Sequence, residues 1–261
     1  MPEPKPTMES AKDDAESPIA PLSNSSNITQ SQNPIALAIN VLTAPSEAFK
    51  TIREQPTSLL PLALILISTL GVMAWYFAIL DYDWYIDDTL SQFPDFTEQQ
   101  MADAREGMQS LSQSSMMWIT MLTGGIATLA IYLIQSSYLS LVSALRGDEI
   151  RFKQWWSLVA WTNLPSLFVA ISMAVNILLN PSGQLSTLEL NGLTLLALGM
   201  ETANPSLNRI FSAINLAMVW NVVLLVLAYR QWLQASTLRS ITVVFAPYLL
   251  IFGVWTYFAV S

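Results

Sequence analysis

Cysteine and histidine are both absent from the 261 residues. Their absence removes disulfides, thiolate nucleophiles, imidazole bases and the usual zinc and haem ligands, so no catalytic side chain, cofactor or metal is expected. Charge is scarce as well. Asp, Glu, Lys and Arg make up only 11% of the chain, against roughly a quarter in a water-soluble domain. The net charge is −8, which argues against nucleic acid as a partner. What is abundant is apolar surface: 52% of residues are hydrophobic and nine are tryptophan, with a mean hydropathy of +0.43. That balance points to a chain embedded in lipid.

Positions 1–33 are the exception, rich in Pro, Ser, Asn and acid. Such a segment buries too little apolar surface to offset its ordering entropy and reads as a disordered acidic tail. Positions 34–56 follow, divided by Pro34, Pro45 and Pro56. Phe49 and Ile52 lie three apart beside Lys50 and Arg53, a pattern that predicts amphipathic helices lying in the membrane surface. Docking on another protein surface is the alternative.

Positions 57–261 hold runs long enough to cross about 30 Å of hydrocarbon, which takes roughly 20 helical residues. They read as Ser58 to Leu80, Ser115 to Leu145, Ser157 to Asn180, Ile210 to Tyr229 and Ser240 to Ser261. The second is too long for one perpendicular helix, and its excess is expected to continue a loop helix opened by the capping-box pattern Thr97-x-x-Gln100. The fold class is therefore all-α: a polytopic membrane protein with five transmembrane helices and a disordered cytoplasmic N-terminal tail.

Lys50, Arg53, Arg146, Arg151, Lys153, Arg230 and Arg239 fall on one side of that arrangement, and Arg105 and Arg209 on the other. The seven-to-two asymmetry predicts a cytoplasmic N-terminus and an external C-terminus. The external loop opens with the acidic run DYDWYIDD. An EF-hand needs glycine at its sixth position and glutamate at its twelfth, and Ile86 and Gln92 stand there. A solvated loop depleted of cations fits better.

The stretch RFKQWWSLVAWTNLP places Arg151 and Lys153 before Trp155 and Trp156, an order that suits anchoring at the headgroup level. Asn163 and Pro165 fall inside the third span. The other polar groups at membrane depth are Gln135, Asn176, Asn215 and Asn221, and Pro247 interrupts the fifth span. No ionisable side chain lies mid-span, which weighs against proton relays and charged-substrate transport. Amides in lipid hydrogen-bond between helices; a neutral-solute site is the rival account. Small residues at helical spacing on spans two and three (Ser136, Ser140, Ala144, Gly147 and Asn163, Ser166, Ala170, Ala174) predict an antiparallel hairpin. Pro165 and Pro247 at similar depths raise a parallel duplication of that hairpin.

VLTAPSEAFKTIREQP, RFKQWWSLVAWTNLP and NRIFSAINLAMVWNVVLLVLAYRQWLQAS together resemble the Yip family (Ypt/Rab-interacting membrane proteins), in its bacterial branch, over positions 40–261. Pro45, Phe49 and Pro56 match the pattern before the membrane. Phe152, Trp161 and Pro165 match the start of span three, and Phe211, Trp220 and Leu224 match span four. The DLYGP-type signature of trafficking members is missing, and a late glycine in span four is replaced around Ala228 and Tyr229. The resemblance implies five spans with a cytoplasmic N-terminus and an integral membrane protein of undefined biochemical role, and it does not extend to Rab binding or vesicle traffic. With no catalytic residues in view, the leading reading is a non-enzymatic scaffold or adaptor in a bacterial inner membrane. The expected partners are the lipid bilayer and other membrane or cytoplasmic proteins, with homo-oligomerisation allowed. A transporter or channel for a small neutral solute is the alternative.

Overall fold

The computed structural model describes residues 33–260; positions 1–32 of the expected disordered tail lie outside them, while Asn33, its last residue, caps the start of the first helix. The described residues form eleven helices and no strand. Five apolar helical segments are long enough to cross a membrane, so the protein is an all-α polytopic membrane protein.

Two short helices come first, α1 (Pro34–Thr43) and α2 (Pro45–Glu54). Asn33 opens α1 by accepting from the Ile35 N–H, and each helix has proline in its first turn, where the missing donor costs nothing. Protein covers the apolar face of α2 and the Leu37 and Val41 side of α1. Phe49 and Ile52 are 0% exposed, in one core cluster with Leu158, Trp161 and Tyr229. The amphipathic face was therefore correct and its covering was not: α2 packs on the third and fourth spans, and its apolar residues do not face lipid. On α1, Ile35 and Ile39 do point outward.

The first span is α3 (Leu59–Ile79). Beyond it, α4 (Tyr82–Ser91) and α5 (Glu98–Gln109) lead to the second span, α6 (Gln113–Ala144). The Thr97–Gln100 capping box forms as the sequence implied. It does not run on into the membrane, because α5 stops and Ser112 caps α6 anew. At 32 residues, α6 is about 48 Å long.

The third span is two helices, α7 (Phe152–Thr162) and α8 (Ser166–Leu179). It begins five residues before the expected Ser157, with Lys153 tolerated in its first turn. The α6–α7 pairing makes the hairpin expected for spans two and three, while α8 packs on α3 and α10. An irregular stretch, 180–204, then leads to α9 (Pro205–Ala213), a fourth span α10 (Leu216–Leu233) and a fifth, α11 (Thr237–Val260). The fourth span was expected from Ile210. Instead α9 is a separate helix, and Asn215 caps α10 by accepting from the Met218 N–H. The α9–α10 link is fixed by backbone bonds Leu195 N to Ile214 O and Leu216 N to Leu193 O.

The two ends of the bundle differ in charge. The seven cations grouped by the sequence share one end with Glu47, Glu54, Asp148 and Glu149. The other end carries Arg105 and Arg209 with eight acids between Asp81 and Glu106, plus Glu189 and Glu201. At that acidic end the 180–204 segment is stitched to the first span and α4. The Gly183 carbonyl accepts from the Asp81 N–H, Tyr76 donates to Leu185 O at 2.7 Å, and Ser186 donates to Asp88 at 2.9 Å. Gly183 adopts φ +74°, and a Cβ there would lie 2.2 Å from the Ile79 carbonyl oxygen. Only glycine allows that approach.

Candidate functional site

Three of the amides at membrane depth, Gln135, Asn163 and Asn221, lie at or beside the interruption of the third span. Pro165 has no N–H to give Trp161, and it disfavours a helical conformation at the residue before it. The chain breaks at 163–165 and satisfies itself locally: Leu164 N donates to Trp161 O and Asn163 N to Val159 O. The Asn163 amide donates to the same Val159 carbonyl at 2.8 Å, and Ser166 donates to Asn163 O. Irregular backbone survives at this depth only when protein covers it. Leu164, at 1% exposure, meets that condition.

Next to the break, four side chains from four spans form a chain in which each donates to the next. Gln135 of α6 donates to the Tyr248 hydroxyl at 2.7 Å. Tyr248 of α11 donates to the Asn221 carbonyl at 3.4 Å. Asn221 of α10 donates to Thr162 Oγ1 at 3.2 Å, and Thr162 of α7 to Val159 O at 3.3 Å. Each donor finds one acceptor, so these polar groups are paired inside the bundle and cross-link helices that hydrophobicity alone would not join in lipid.

Pro247 takes part differently. It lies within α11, which stays helical through it. Proline leaves the carbonyl four residues back without its donor, and Tyr138 supplies one, its hydroxyl donating to Val243 O at 2.9 Å. Gln135, Tyr138, Pro247 and Tyr248 line a crevice of about 160 Å³ between α6 and α11.

Of the amides expected to act together, Gln135 and Asn221 do. Asn163 is beside them but caps its own helix, and does not bond across to span two. Asn215 is apart, a helix cap, and Asn176 donates to Glu189 O and Leu190 O at the acidic end. Thr162, Tyr138 and Tyr248 were missed; phenols and a hydroxyl in otherwise apolar runs were the available signal.

The residues expected at the headgroup level divide in two. Arg151, Lys153 and the half-buried Trp156 lie at the start of α7, with Trp156 donating to Ser58 at 3.0 Å. Trp155 is 0% exposed. Its ring sits 5.3 Å from Trp232 and 6.1 Å from Tyr229, so it is a core residue and not a lipid anchor. Around it the basic end is tied together by long-range bonds. Arg53 donates to Trp232 O at 3.0 Å, Trp232 to Phe49 O at 3.0 Å, Gln154 to Arg53 O at 2.7 Å and Trp161 to Thr57 O at 2.6 Å. Arg53 thus meets the unpaired carbonyls of a helix C-terminus, where a cation is favoured. Lys50 pairs with Glu47 in an exposed contact at 2.9 Å.

At the acidic end the Asp81 carboxyl is held below its ordinary pKa, first by the Gln184 amide and then by the Trp84 N–H. Burial pushes the Tyr85 phenol above its ordinary range.

The Yip1 domain matches residues 39–258, most of the chain. The chain belongs to the Yip1 domain family. The match begins midway through α1 and ends two residues before the end of α11, so it takes in the second half of α1, all of α2, the first four spans and all but the last two residues of the fifth. It is made to the family as a whole and does not bear out the assignment to a bacterial branch. No curated protein and no solved structure matches the chain.

Proposed function

We propose that this Yip1 domain protein is a non-enzymatic scaffold or adaptor in membrane organisation or trafficking-like processes. It sits in the inner membrane of a bacterium with its basic end in the cytoplasm and its C-terminus in the periplasm. Positions 34–56 act as a unit docked on the domain of 57–261. The observation that carries this reading is the pairing of Gln135, Tyr248, Asn221 and Thr162 with one another. A bundle that spends its membrane-depth polar groups on its own cohesion is suited to presenting surfaces to partners.

The rival, a path for a small neutral solute, would have to draw on the same side chains. Proteoliposomes of the full chain should swell in glycerol, urea or sucrose no faster than protein-free vesicles. Solute-selective swelling that Asn221→Leu abolishes at equal protein content would overturn the scaffold reading. Orientation has its own test. Alkaline phosphatase fused after Ser261 should be active in a bacterial host, and an inactive fusion paired with a fluorescent C-terminal green fluorescent protein fusion would reverse it.

A further inference from the structure

At the basic end, α2 and the last turn of α10 enclose a crevice of about 530 Å³ lined by Lys50, Leu227, Arg230, Gln231 and Gln234. We infer that this crevice binds the phosphate headgroup of an anionic phospholipid, with one acyl chain lying along α10.

The charge is right and it is available. Arg230 has no ion pair and no side-chain hydrogen bond among the described residues. Among the described residues Lys50 meets only Glu47, in an exposed pair that a phosphate can join or displace. Glu47, the partner of Lys50, is thus the carboxylate an anion would have to tolerate, and Arg230 adds a second cation to the lining.

The walls are fixed before any ligand arrives. Gln231 donates to Ser46 O at 2.9 Å, joining α10 to α2 across the crevice. Gln234 donates to Gln231 O at 2.8 Å and turns the chain with φ 48°. A helix C-terminus ordinarily repels an anion. Here the terminal carbonyls are already occupied: Ala235 N donates to Arg230 O, and Arg53 donates to Trp232 O.

The approach is apolar. Trp220, Val223 and Leu227 are all exposed, spaced three and four residues apart, so they form one stripe on α10 that ends at Arg230. A free inorganic anion has no use for that stripe; a lipid does. An apolar lane ending in two cations at the boundary of the hydrocarbon matches an anionic amphiphile, the arrangement by which basic pockets beside spanning helices recognise lipid headgroups. The inference does not depend on the scaffold reading, since a transporter could carry the same site.

The test uses the delipidated full-length protein in a neutral detergent, titrated separately with phosphatidylglycerol, phosphatidylcholine and inorganic phosphate. Binding is followed by native mass spectrometry. Phosphatidylglycerol should bind with a saturable stoichiometry and phosphatidylcholine should not. Each of Lys50→Gln and Arg230→Gln should weaken phosphatidylglycerol about fivefold. Arg239→Gln, which removes a cation at the same end but outside the crevice, should change nothing. Leu227→Ser should weaken the lipid and spare phosphate, and it keeps the test open if a cation variant fails to fold. Equal binding by wild type and both cation variants overturns the site. Inorganic phosphate binding as tightly as the lipid overturns the lipid as its occupant.

Discussion

Pro165 and Pro247 stand at comparable depths in the third and fifth spans, and the bundle treats them in opposite ways. Around Pro165 the helix stops, turns through three residues and restarts; around Pro247 it continues unbroken. Both prolines leave a carbonyl without its usual donor, so the proline itself does not decide the outcome. Its neighbours do. Pro165 follows Asn163, whose amide folds back on Val159 O, and the break is packed beneath Trp161 and Leu164, both almost fully buried. Pro247 lies on a helix mostly open to lipid, where a broken backbone would be unprotected, and a single phenol from α6 restores its missing bond. The expected duplication of one hairpin gains nothing from this pair: the two prolines share a depth and not a structure.

The sharpest way to break the contrast is to remove packing at each proline. Leu164→Ala, beside the buried break, should cost about 2–5 kcal/mol through the cavity it leaves. Leu249→Ala, two residues after Pro247 and 68% exposed, should stay within about 0.5 kcal/mol of wild type. Reversible unfolding in mixed micelles measures both, and comparable losses would mean that the two sites are equally embedded. The chain of side chains joining the sites comes next. Asn221→Ala leaves the Tyr248 hydroxyl without its acceptor and removes the donor to Thr162, and should cost about 1–2 kcal/mol.

Smaller, but more diagnostic, is Tyr138→Phe. It should cost about 0.5–1.5 kcal/mol because Val243 O loses its donor. In a Pro247→Ala background the new backbone N–H reaches that carbonyl, so the same substitution should cost almost nothing. A double-mutant cycle that comes out additive would show the phenol to be incidental. The smallest effect belongs to Asn163→Ala, about 0.5 kcal/mol, because Val159 O keeps its bonds from Asn163 N and Thr162.

Composition and run length were enough for the five spans, since a long uncharged helix has few alternatives in lipid. Two of the errors share one physical cause. Periodicity tells which face of α2 is apolar, yet Phe49 and Ile52 meet protein because α7 and α10 happen to lie there, which is a tertiary fact. Trp155 repeats the lesson: a tryptophan after two cations suits a headgroup, and Trp232, seventy-seven positions later in the chain, determines that it is core. The start of the fourth span was misplaced because Ile210 and Phe211 extend its apolar run. Asn215, three residues before Met218, was the cap signal within that run. Among the site residues, Gln135 and Asn221 stood out as amides in lipid. Tyr248 and Thr162 did not, because hydroxyls in apolar runs find partners at distances no local pattern encodes.

The length of α6 has a mechanical corollary. Its first residue, Gln113, donates to Phe77 O and Leu80 O at the end of the first span. Just past its last turn, Arg146 donates to the Tyr229 hydroxyl at 3.0 Å. Between those two clamps, one face of the rod packs on α3 and α7 and bonds to α11, and the opposite face is exposed along much of its length. A stiff strut longer than the hydrocarbon slab answers a change in slab thickness chiefly by leaning. Leaning about two fixed ends loads the clamps, so a thinner bilayer strains the Gln113 and Arg146 contacts before it disturbs the hydrogen-bonded chain between them.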